Sequence, residues 1–77
     1  MQLMCCEQVI ENEIKHGVRR KDVAITYAMT VRSEAMGRKT NWKRINAAIL
    51  AKWGRRGLMA VKNRAHGILE GRIDPSS

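Results

Sequence analysis

The sequence predicts an all-α protein, a compact bundle of about four short helices whose last two form a helix-turn-helix-like pair. Three observations carry that prediction. Phenylalanine is absent and proline occurs once, at Pro75. No stretch alternates apolar and polar residues in steps of two. Every apolar run instead recurs at three and four residues between glycines, the period of an amphipathic helix. At 77 residues the chain has room for one domain; residues 1–71 are read as that domain and 72–77 as a disordered tail.

In the first segment Leu3, Cys6, Val9, Ile10 and Ile14 form one stripe, and Glu7, Gln8, Glu11 and Asn12 point away from it. Lys15 and His16 favour the negative end of that helix, and Gly17 stops it. The second segment, about Arg20 to Met36, is apolar over nearly half its circumference: Val23, Ala24, Tyr27, Ala28, Val31 and Ala35, then Ile25, Met29 and Met36. Only Asp22, Thr26, Thr30 and Ser33 remain as a polar stripe, which places this helix at the centre of the bundle, and Gly37 ends it. Thr40 or Asn41 caps a third helix. There Trp42, Ile45, Ile49 and Trp53 share the inward face, opposite Lys43, Arg44, Ala47 and Ala51. After Gly54-Arg55-Arg56-Gly57, a fourth helix turns Leu58, Val61, Ala65, Ile68 and Leu69 inward and stops at Gly71.

Fifteen Lys and Arg against seven Asp and Glu leave a net charge of +8. The charge is uneven: thirteen of the basic residues and only two acids fall between positions 19 and 64. A small domain relieves such self-repulsion on a polyanion, so nucleic acid is the first partner class. A chain this short buries only about 60 to 65% of its unfolded surface, which leaves no room for a deep catalytic cleft beside a core, and no nucleophile stands with a base; the protein is not read as an enzyme. Glu7, Glu11 and Glu13 are expected on an exposed helix face, without an apolar pocket to tune a general acid. Cys5 and Cys6 are adjacent, too few for a disulfide framework and not spaced for zinc, with Cys6 in the core and Cys5 a partly exposed thiol. No metal or other cofactor is called for. That cysteine usage, with no long apolar run and no basic leader, implies a cytoplasmic protein with no membrane partner.

The most informative segment is Ala51-Lys52-Trp53-Gly54-Arg55-Arg56-Gly57-Leu58. Read as a hairpin, its glycines let backbone approach a ligand closely, and Arg55 and Arg56 add two permanent charges beside the start of the next helix. It resembles the helix-GXXG-helix element of KH domains and the helix-hairpin-helix motif, and either resemblance implies contact with a nucleic-acid backbone. The likeness covers about 25 residues. A KH domain has a three-stranded sheet that this sequence does not supply, and the usual helix-hairpin-helix turn sets its glycines one residue closer.

Opposite its apolar face the fourth helix presents Met59, Ala60, Asn63 and Gly67, flanked by Lys62, Arg64 and His66. Small side chains permit entry into a major groove, Asn63 suits adenine, and the flanking cations suit phosphates. Further basic clusters lie at Arg19-Arg20-Lys21 and at Arg38, Lys39, Lys43 and Arg44, around the starts of the second and third helices. Cations there oppose the helix dipole by about 0.3 to 1 kcal/mol each, so an anion shared between those ends would account for them. The tryptophans and Tyr27 fall inward, which favours duplex backbone over stacked single strands.

These features together predict a regulatory or architectural protein that binds double-stranded DNA through Arg38, Lys39, Lys43, Arg44, Arg55, Arg56, Lys62, Asn63, Arg64 and His66. Helix two offers an apolar face for a homodimer. The alternative is a modulator that docks this basic surface on an acidic patch of a larger nucleic-acid enzyme such as a polymerase or nuclease.

Overall fold

A computed structural model describes residues 6–76. The readings for Leu3, Cys5 and the Cys6 side chain lie outside the described residues. The described chain is all helical: α1 spans Cys6–Lys15, α2 Arg20–Ala35 and α3 Trp42–Leu69. The expected third and fourth helices follow one another directly across a kink at Gly54, where the backbone is non-helical, and are numbered together as α3.

The helix ends follow from local chemistry. At the end of α1 the N–H of Val18 reaches Glu13 O (2.9 Å) and that of Gly17 reaches Ile14 O (3.2 Å), which satisfies the last carbonyls by a left-handed glycine turn. The same pair of bonds recurs at Gly37 and Gly71, so the three predicted glycine stops are the observed ones. His16 adds a bond from Nδ1 to the Asn12 carbonyl (2.7 Å). Asn41 caps α3, its Oδ1 accepting from the Arg44 N–H (3.2 Å).

Each helix packs on the other two. Ile10 of α1, Val23, Ala24, Tyr27 and Ala28 of α2, and Ile45, Ile49, Val61, Ala65 and Ile68 of α3 form the core; fully burying an Ile or Val contributes about 1.5 to 3 kcal/mol. A straight helix of 28 residues would run about 42 Å, longer than the molecule's longest dimension of 33 Å. The bend lets both halves of α3 supply core residues.

Four expectations change. Thr30, read as part of a polar stripe, is fully buried; its hydroxyl donates to the Thr26 carbonyl (2.8 Å), so an interior site tolerates it. Met29 and Met36, read as inward, are 60% and 89% exposed, because α1 and α3 cover only one side of α2. Glu7, read as exposed, is buried: its Oε1 accepts from the Asn41 N–H (2.6 Å) at the positive start of α3. The tail does not leave the fold at Arg72. The N–H groups of Arg72 and Ile73 both return to Gly67 O (2.8 and 3.1 Å), and Ile73 covers Gly67, where a Cβ would fall 2.8 Å from Ile73 Cγ1.

Candidate nucleic-acid interface

Gly54 makes the bend alone. Its φ of 73° and ψ of −171° belong to a region that only glycine enters without strain. Arg55, Arg56 and Gly57 continue as helix. The phosphate-cradling loop expected of the KH-like or hairpin reading is therefore not formed; the two helical segments meet at Gly54 itself. Gly57 has a packing role: it is buried, and a Cβ there would overlap the Trp53 Cβ. The absence of that atom lets Trp53 lie against the helix after the bend.

Beyond Gly54, Arg55, Arg56, Met59, Ala60, Asn63 and His66 are exposed, spaced three and four apart, so they share one face. Met59 is 62% exposed. Lys62 and Arg64 are half-buried on the flanks. Gly67 leaves the expected face, since it lies buried beneath Ile73.

The remaining cations divide by place. Arg38, Lys39 and Lys43 are exposed in the loop before α3 and its first turn, eleven or more residues before Gly54 and so roughly 17 Å or more from the bend along the helix. Arg44 sits beside them, but its guanidinium meets Glu11 at 2.7 Å, an ion pair that holds α1 on α3. The same end is secured by Trp42, whose Nε1–H donates to Glu34 Oε2 (2.7 Å) and whose ring lies 4.9 Å from that of Tyr27. Burial raises the Tyr27 phenol above its ordinary range.

Arg19, Arg20 and Lys21 stand at the other end of α2. They do not share an anion with the start of α3, because α2 runs about 24 Å between the two places. They face Lys52 and Trp53 instead, across a cleft of about 500 Å³ that Gly17 and Val18 also line. Lys52 escaped the sequence reading. No local spacing points to this role, because the cations it faces, Arg19 to Lys21, come from a segment some thirty residues earlier in the chain.

Glu13 is also less exposed than expected. Its Oε1 is buried without a hydrogen-bond partner. Burial pushes the carboxyl above its usual range, a hydrogen bond from Thr26 opposes that shift, and the Asp22 charge adds to it. Glu13 is turned toward Thr26 and Asp22 of α2 and not to an exposed face of α1. Among the described residues no three of His, Cys, Asp and Glu gather as a metal site, and no helix is long and apolar enough to cross a membrane.

Fold and surface define a small, basic, all-helical domain with a bent third helix. Comparison with known family models, curated proteins and solved structures finds no match to this chain.

Proposed function

We propose that this protein binds double-stranded DNA through the exposed face of α3 beyond Gly54, in a regulatory or architectural role. The observation that carries the reading is the single stripe of Arg55, Arg56, Met59, Ala60, Asn63 and His66, flanked by Lys62 and Arg64. From Arg55 to His66 the stripe is roughly 17 Å long on a cylinder 10 to 12 Å across, dimensions that enter a major groove about 12 Å wide. Ala60 permits close approach, Asn63 is the group able to pair with a base edge, and Arg55, Arg56, Lys62 and Arg64 suit the phosphates on either side. Arg38, Lys39 and Lys43 would extend the contact along the backbone. Arg44 is left out of the set because Glu11 neutralises it.

Such binding exchanges counterions for protein cations, so its affinity falls steeply with salt. Titrating labelled duplex over a salt series tests it. Replacing Arg55 and Arg56 together by alanine should reduce the log-log slope by about 2. An affinity for duplex no better than millimolar at low salt overturns the proposal and moves the same stripe to an acidic protein surface. A second copy would double the DNA contact; Met29 of α2 and Met36 at its C-cap are the exposed large apolar side chains there, and sedimentation equilibrium of Met29→Lys against the parent tests that pairing.

A further inference from the structure

We propose that the cleft between the start of α2 and the bend of α3 is a second site, which takes a nucleotide: a phosphate ester held by Arg20, Lys21 and Lys52, with its base against Trp53. The two walls come from segments some thirty residues apart in the chain, 17–21 and 52–53, so the fold alone assembles them. The volume of about 500 Å³ lies within the range of small-ligand sites, about 300 to 1,000 Å³.

Three properties of the cleft point to this chemistry. Four cations line it, and only Arg19 has a carboxylate partner, Asp22 at 3.7 Å; Arg20, Lys21 and Lys52 have none among the described residues. Gathering unpaired like charges across a concave surface opposes folding, and a bound anion reverses the sign of that energy. The lining also includes an aromatic ring, which inorganic phosphate does not need and a base does. Trp53 is half-buried, seated against Gly57 and packed on the core, and it lines the cleft beside Lys52. Finally, α2 begins without a side-chain cap. Asp22 and Val23 donate to Arg19 O, while the N–H groups of Arg20 and Lys21 have no acceptor within the helix and remain for an oxygen of the ligand.

The site is separate from the duplex face, since none of Arg55, Arg56, Asn63 or His66 lines it. The chain has two tryptophans, so in a Trp42→Phe background Trp53 alone reports by fluorescence. Adenosine monophosphate should quench Trp53 saturably, with an affinity at least about tenfold above that of inorganic phosphate or adenosine, because neither fragment makes both contacts. Lys52→Ala and Arg20→Ala should each weaken it by about tenfold with helicity unchanged by circular dichroism. Arg55→Ala with Arg56→Ala should leave the titration unaltered.

A single-stranded oligoadenylate distinguishes the source of the ligand. Displacement of the mononucleotide by a lower concentration of strand, counted per nucleotide, assigns the site to nucleic acid; the reverse order assigns it to a free nucleotide. Absence of saturable quenching by either at millimolar concentration overturns the proposal, as does equal affinity for inorganic phosphate or insensitivity to Lys52→Ala. Duplex binding that survives such a failure leaves the proposed function standing. Lost duplex binding with intact nucleotide binding removes that function and keeps this site.

Discussion

Replacing Gly54 by alanine isolates the energy of the bend from its packing. A Cβ at Gly54 would meet nothing within 4 Å, so no collision contributes. The whole effect is the backbone conformation, φ 73° and ψ −171°, which costs an L-residue about 1 to 3 kcal/mol. Unfolding entropy for a chain of this length is roughly 0.16 kcal/mol/K, so Gly54→Ala should lower the thermal midpoint by roughly 6 to 18 °C. A synthetic chain with D-alanine at position 54 reaches the same backbone angles without strain and should melt at or above the parent, since it restricts only the unfolded state. Gly57→Ala supplies the contrast. Its backbone is ordinary helix, its loss comes from overlap with the Trp53 side chain, and the expected destabilisation is about 1 to 3 kcal/mol from overpacking. Thermal melts by circular dichroism compare these three variants with the parent. A midpoint for Gly54→Ala within two or so degrees of the parent, or equal losses for the two alanine enantiomers at 54, would refute the assignment of the bend to this one residue.

Two further predictions concern residues that the fold has drawn inward. The raised Glu13 pKa means that the folded state holds this proton more tightly than the unfolded chain, whose value is near 4.5; its favourable contribution is complete below that value and is lost as pH rises through the folded pKa. Glu13→Gln cannot ionise and should gain midpoint over the parent as pH is raised from about 4 to about 7, and a gap that stays constant over that interval would remove Glu13 as the cause. Arg44→Ala breaks the ion pair with Glu11, whose side chains are 48% and 35% exposed, and should destabilise by no more than about 1 kcal/mol. Because its charge is already neutralised, the salt slope of duplex binding should not change; a slope reduced by about 1 would return Arg44 to the DNA contact.

Features decided within a few residues were legible in the sequence. Gly17, Gly37 and Gly71 end helices and Asn41 begins one, because caps depend on local backbone angles and the nearest N–H and C=O groups. The inward set Ile45, Ile49, Val61, Ala65 and Ile68 followed from periodicity, since any helix presenting those side chains must bury them. The exposed run of Met59, Ala60 and Asn63 was legible for the same reason, whereas Arg55 and Arg56, read as loop residues, join that face only because the helix resumes directly after Gly54.

Only the tertiary structure decided which charges remain available and where they gather. Glu7 and Asn41 are separated by 34 positions, and no local pattern pairs them or sets Glu11 against Arg44. Tertiary packing also turned one face of α2 outward with Met29 and Met36, buried Thr30, and brought Arg19 to Lys21 across from Lys52 and Trp53. The physical reason is that a helical period specifies an angle around one axis, whereas burial and ion pairing depend on how the axes approach one another. Gly54 joins the two levels: its place as a glycine is visible in the chain, but that it makes a one-residue bend instead of opening a four-residue loop is visible only in the structure.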